Sequence, residues 1–230
     1  MKRSVFLCLI VFSLAVVPLP AQQAGGHDQG HDATIHHSFD DVDRWVKAFD
    51  DPGRDAWQKP EKVVRFLGVA PGQNVADLGA GTGYFTVHLA KAVGAKGKVY
   101  AADIEPNLVA YLGERAAKAK LIQVVPILAA PDDPKLPAGG VDLILICDTW
   151  HHIDDRLNYL SRLAATLAPG GRVAVVDFRE GEMPVGPPPA HKLSREAVVK
   201  EFETAHWRLV DEYKKLTYQY VLVFAPAPPG

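Results

Sequence analysis

The chain has 230 residues, 48% hydrophobic and 23% charged, the composition of a soluble globular domain and not of a disordered, collagenous or multi-span membrane chain. Its 25 basic and 27 acidic residues leave a formal charge of −2, so no basic excess exists to neutralise a phosphate backbone and nucleic acid is excluded as the main partner. The two cysteines, Cys8 and Cys147, cannot build a disulfide scaffold or an all-cysteine zinc site.

The chain opens Met1-Lys2-Arg3, continues in an apolar run from Val5 to Leu19, and then reads Pro20-Ala21-Gln22-Gln23. A basic start, a short apolar core and a small residue at the exit are the pattern of a secretory signal peptide over 1–21, with cleavage expected after Ala21. The run of about 15 residues is shorter than the roughly 20 that span a bilayer. An uncleaved anchor is the alternative. The expected location is exported, periplasmic or secreted. Residues 22–38 form a polar lead-in with His27, His31, His36 and His37. No Cys/His spacing there matches a structural zinc site, and no metal site is expected. Residues 39–73 carry helical patterning, broken at Asp51-Pro52-Gly53 and at Pro60.

From Asn74 the pattern changes. Short apolar runs at 74–79, 98–103, 122–128, 141–148 and 172–178 read as strands. Helical patterns at 83–93, 106–119 and 154–168 lie between them, the last stopped by Pro169-Gly170-Gly171. This alternation predicts an α/β domain over 74–225, a doubly wound, mostly parallel sheet with helices on both faces. A helix at 194–205 then precedes runs at Trp207–Thr217 and Tyr218–Phe224. They are too close in sequence for a parallel crossover, so an antiparallel hairpin is expected at the end of the sheet. Residues 226–230 form a tail.

The richest segment is Asn74-Val75-Ala76-Asp77-Leu78-Gly79-Ala80-Gly81-Thr82-Gly83-Tyr84-Phe85. A buried strand enters a loop of three glycines, and a helix follows. In open α/β sheets ligands bind at such strand-to-helix loops. A dinucleotide fingerprint needs Gly or Ala at its sixth position, and counting from Gly79 or from Gly81 gives Tyr84 or Thr86 instead. Asp77 sets a carboxylate near the loop, which suits a ligand carrying an ammonium group.

Asp77-Leu78-Gly79-Ala80-Gly81-Thr82-Gly83-Tyr84 resembles motif I of the class I S-adenosylmethionine-dependent methyltransferases. Val-Tyr-Ala-Ala-Asp-Ile-Glu-Pro at 99–106 is similar to the family's second motif. Leu167-Ala168-Pro169-Gly170-Gly171-Arg172 is similar to its turn before strand five. The closing hairpin completes a seven-stranded pattern, and the resemblance covers roughly residues 55–225. It implies S-adenosylmethionine as cofactor, with Asp77, Gly79, Gly81 and Gly83 at the methionine end, Asp103 on the ribose and Asp132 on the adenine amino group. It also makes Asp148-Thr149-Trp150-His151-His152-Ile153 a loop bordering cofactor and substrate. Asp148 then belongs to the cofactor side and Trp150 to the substrate side.

His151 or His152 could remove a proton from a hydroxyl acceptor or contact the substrate, since a histidine near neutral pKa suits a general base. Packing under the loop or capping the next helix is the alternative. Adjacent residues of an extended loop project oppositely, so the two are not expected to face the same way. Trp57 either covers the cofactor and walls the substrate pocket, or staples the leading helix to the domain. The Pro-rich stretch Glu182–His191 falls where the family places substrate-selecting insertions. The implied activity is methyl transfer to a small-molecule acceptor, closer to the quinone-biosynthesis type than to nucleic-acid methylases. An exported ligand-binding protein on the same fold is the alternative.

Overall fold

The computed structural model describes residues 42–228. The expected signal peptide, its cleavage site and the histidine lead-in lie outside the described residues. Three short helices come first: α1 (Val42–Phe49), α2 (Arg54–Gln58) and α3 (Pro60–Phe66). Asp51-Pro52-Gly53 separates the first two, and Pro60 opens the third, where its missing N–H costs nothing.

The alternating part follows as β1 (Asn74–Leu78), α4 (Tyr84–Val93), β2 (Lys98–Asp103), α5 (Pro106–Lys118), β3 (Val124–Leu128), β4 (Val141–Cys147), α6 (Arg156–Thr166), β5 (Leu167–Phe178), α7 (Arg195–Thr204), β6 (Trp207–Tyr213) and β7 (Gln219–Pro226). The sheet order is β3-β2-β1-β4-β5-β7-β6. All pairings are parallel except β5 with β7 and β7 with β6. The doubly wound sheet and its antiparallel close are those expected.

Both faces of the sheet are covered, which is why its strands read as continuous apolar runs and not as an alternation. Ala76, Ile144, Ile146 and Val175 pack with Leu160, Leu163 and Phe202 on one side. Val75, Leu143, Leu145 and Val176 pack with Val63, Leu67 and Leu89 on the other. The chain order reverses between β1 and β4, so a crevice opens at their carboxyl ends. That edge holds the site.

Two of the boundaries that differ from expectation have a visible cause. Strand β5 begins at Leu167, ahead of Pro169-Gly170-Gly171, because Leu167 already pairs with Val141 across an irregular register. A Cβ on Gly171 would lie 2.8 Å from the Val141 carbonyl oxygen, so the glycine there permits close strand approach as well as a turn. Helix α6 starts at Arg156, since Asp155 caps it by accepting from the Asn158 N–H at 3.3 Å.

Candidate functional site

The loop after β1 is shaped by left-handed backbone. Gly79 has φ +71, and a Cβ there would sit 2.2 Å from Thr149 Oγ1, so loop and β4 turn touch only because the side chain is absent. Gly81 has φ +56 and lies under the Phe49 ring, which a Cβ would approach to 3.3 Å. Asp77 is buried beneath the loop, accepting from Thr86 Oγ1 at 2.6 Å. Burial pushes its carboxyl up to about 6, against the pull of that hydrogen bond. At the end of β2, Asp103 accepts from the Gly81 N–H at 2.7 Å through one oxygen and from the Glu105 N–H at 3.0 Å through the other. Burial raises its carboxyl too.

Residues 49–59 cross this edge as a strap. Asp50 accepts from Thr82 Oγ1 at 3.0 Å and from Arg115 Nη1 at 2.7 Å, and Arg115 also donates to the Thr82 carbonyl at 2.9 Å. Tyr84 Oη donates to Asp55, and the Arg54 guanidinium lies 4.1 Å from the centre of the Tyr84 ring. On the far side the strap is tied to Asp148. Gln58 Nε2 and Arg54 Nη2 approach Asp148 Oδ2 at 3.1 and 3.4 Å. Gln219 Nε2 donates to Asp148 Oδ1. Asp148 itself stands in the left-handed region at φ +54, a conformation held by these tethers. Burial raises its carboxyl, with Arg54 opposing. The neighbouring Cys147 thiol is pushed well above its usual value by burial, which makes it an inert wall.

The β4 loop is a single 3₁₀ turn over Trp150–His152 and not extended chain. The turn brings the two imidazoles together, centroids 4.2 Å apart, so the opposed projection expected of an extended loop does not hold. His151 is buried, and its Nδ1 lies 2.9 and 3.1 Å from the two oxygens of the fully buried Asp177. Burial alone would lower the imidazole pKa. The charge and hydrogen bond of Asp177 outweigh it and leave the ring raised above its ordinary value. A carboxylate on Nδ1 fixes the tautomer and leaves Nε2 as the nitrogen that exchanges a proton.

Asp77, the three glycines, Asp103, Asp148, His151 and Trp57 are all brought to this edge. Trp57 faces Phe178 at 5.7 Å and Tyr218 at 6.0 Å between ring centres. The Pro-rich loop packs beneath Phe178, where a Cβ on Gly186 would meet the ring at 2.5 Å. Trp150 is corrected: it is wholly buried, 5.1 Å from the Phe202 ring, with Nε1 donating to Glu201 at 2.9 Å, and so anchors the turn from the core and does not wall a substrate. Asp132 lies in the Pro131-Asp132-Asp133-Pro134 turn, its carboxylate 75% exposed and paired with Arg162 at 3.1 Å. Asp177 was missed. Its signal was present, an acid closing an apolar run in Val-Ala-Val-Val-Asp-Phe just as Asp77 and Asp103 do in β1 and β2. Among the described residues no group of three or more His, Cys, Asp or Glu could hold a metal, and no helix is long and apolar enough to cross a membrane.

Comparison with known proteins places the site in context. Residues 75–171 match the methyltransferase domain family. A solved S-adenosylmethionine-dependent methyltransferase from Aquifex aeolicus is 32% identical, with a TM-score of 0.76 over 80% of this chain and 97% of that one. Aklanonic acid methyltransferase of Streptomyces sp. strain C5 is 29% identical over 60% of this chain. The ubiquinone/menaquinone biosynthesis C-methyltransferase of Vibrio vulnificus strain YJ016 is 31% identical over 48%. The alignments span 63% and 43% of those two proteins.

Proposed function

The chain belongs to the S-adenosylmethionine-dependent methyltransferases, and from that premise we propose that it methylates a small-molecule acceptor from which His151 removes a proton. The observation that carries this reading is the convergence of Asp77, three left-handed glycines and Asp103 on one sheet edge. The residues fit the family's cofactor. Each Asp103 oxygen accepts one backbone N–H and keeps a lone pair, so the carboxylate can take a vicinal pair of ribose hydroxyls. Asp77, held up by burial, gains a counter-charge when an ammonium group arrives beside it. Bound there, the cofactor supplies an electrophilic methyl carbon on a sulfonium.

The chain's own groups do the rest. The strap from Phe49 to Lys59 closes over the glycine loop, which excludes water and fixes approach. His151, oriented by Asp177, takes the proton that the acceptor loses as it becomes a nucleophile. An acceptor that must lose a proton is a hydroxyl or an acidic carbon. The name of the Vibrio vulnificus relative, a ubiquinone/menaquinone biosynthesis C-methyltransferase, supports an acceptor of the quinone-biosynthesis kind. The reading includes export, resting on the pattern over 1–21 and tested by N-terminal sequencing of the mature protein.

Calorimetric titration of the full chain with S-adenosylmethionine tests the core of the proposal. Micromolar binding, about −8 kcal/mol, is expected, weakened at least about ten-fold in Asp103→Ala by loss of charge-assisted bonds. A folded chain that binds no cofactor would sink it.

A further inference from the structure

Gln219 opens β7 and is wholly buried. It pairs in register with Phe178, one rung from the Asp177–Tyr220 pair. Its Nε2 donates to Asp148 Oδ1. The amide turns its NH2 to Asp148 and its carbonyl oxygen away. That oxygen, Oε1, is buried beyond the reach of solvent and has no hydrogen-bond partner. It is the only such side-chain nitrogen or oxygen among the described residues.

A buried acceptor without a donor loses its hydration and receives nothing in exchange. The bond from Nε2 to Asp148 accounts for one end of the amide and leaves the other, Oε1, without a partner. The residues around it are aromatic. Phe178 lies opposite it and Tyr218 precedes it, and the Trp57 ring faces both. Gln58, next to Trp57 on the strap, shares with Gln219 the carboxylate of Asp148. The strap thus covers the very residue whose oxygen is unpaired.

We infer that Gln219 recognises the methyl acceptor, its Oε1 accepting from a hydroxyl on a planar aromatic ring that packs among Trp57, Phe178 and Tyr218. The inference rests on the methyl-transfer reading and adds to it the class of acceptor and the residue that selects it. Three aromatic side chains, with Trp57 tilted 43° to Phe178 and 58° to Tyr218, supply the apolar contacts, and the unpaired carbonyl supplies the polar discrimination. A site built to accept a hydroxyl rejects the analogue that lacks it far more strongly than an apolar pocket does.

The test uses the full chain saturated with S-adenosylhomocysteine, which has no methyl group to transfer. Two probes of nearly one shape, 1-naphthol and 1-fluoronaphthalene, which has no hydrogen to donate, are titrated by calorimetry into wild type and Gln219→Met. In wild type 1-naphthol is expected to bind at least about ten-fold more tightly, and in Gln219→Met the two are expected to differ by less than about two-fold. Equal binding to wild type, no binding of either ring, or a preference that survives in Gln219→Met overturns the inference. Should Gln219→Met not fold, the wild-type pair alone decides. Titration of S-adenosylhomocysteine by itself separates the two readings. Its failure to bind removes the methyl-transfer reading, whereas its binding without discrimination between the rings removes only the role of Gln219.

Discussion

The two halves of the site are built in different ways. The β1–β2 half is made of backbone and short carboxylates within one βαβ unit: Gly79, Gly81 and Gly83 set the loop, and Asp77 and Asp103 flank it. The β4–β5–β7 half is made of long-range side-chain pairs. Asp148 gathers Arg54, Gln58 and Gln219, and Asp177 reaches back to His151. The first half is a conformation written into a few consecutive residues, able to hold a constant ligand. The second exists only once α2, the β4 loop, β5 and β7 have come together, and its polar contacts change with any residue that changes. A cofactor common to a family suits the first, and an acceptor that varies suits the second.

That contrast can be broken most sharply at Gly79. Gly79→Val is expected to abolish cofactor binding in calorimetry, because the side chain would have to occupy the place of Thr149 in a left-handed conformation. Retention of micromolar binding would show that the loop is not held by its contact with the β4 turn.

Asp177→Asn strikes the other half. It is expected to lower kcat by about 10²-fold while leaving cofactor affinity unchanged. The wild-type imidazole is raised by Asp177, so activity that needs its neutral form falls as pH drops through a value above the usual 6.5. In Asp177→Asn burial dominates, and the acid limb of kcat/KM moves to lower pH. The linkage has the matching sign. A raised imidazole adds stability that is full below the unfolded pKa and lost as pH rises through the folded one, so the melting temperature of Asp177→Asn should fall short of wild type more at pH 6 than at pH 9. An unchanged pH profile would make Asp177 a packing residue.

Asp77→Asn sets stability against binding. The carboxyl is raised by burial from 3.8 to about 6, so wild type loses stability as pH climbs through that interval, up to about 3 kcal/mol. Asp77→Asn escapes this loss and should melt higher than wild type at pH 7 while binding S-adenosylmethionine more weakly. A variant that melts lower at pH 7 would show that the ionised carboxylate is already compensated inside the fold.

Smaller effects are expected at the margins. Asp50→Ala removes the tie from strap to Thr82 and Arg115. It should speed cofactor release in stopped-flow measurements several-fold and cost about 1 kcal/mol of stability, since the pair is only partly buried. Arg162→Ala frees Asp132 on the surface and should leave cofactor affinity and melting temperature within error. A loss of affinity there would tie the Asp132–Arg162 pair to the cofactor.

What was legible beforehand follows the same division. The alternation of apolar runs predicted the sheet because each strand is buried on both faces. The three glycines and the strand-end acids marked the β1–β2 edge. Trp150 misled because a tryptophan beside paired histidines reads as a pocket wall, yet Phe202 and Glu201, about fifty residues later, hold it in the core. The distance of Asp132 from Leu136-Pro137 did not reveal the pair it makes with Arg162, thirty residues later. Nothing in the sequence around Gln219 distinguishes it from any polar residue at the start of a strand.

The sequence by itself therefore determined the doubly wound order of elements and the left-handed loop over Asp77, because periodicity and backbone freedom are properties of neighbouring residues. Only the tertiary structure decided which imidazole meets Asp177, which amide is left with an unpaired oxygen and which residues strap the edge. Those pairs join positions 26, 71 and 90 residues apart. Their partners are chosen by strand order and by the packing of the strap, which no local pattern records.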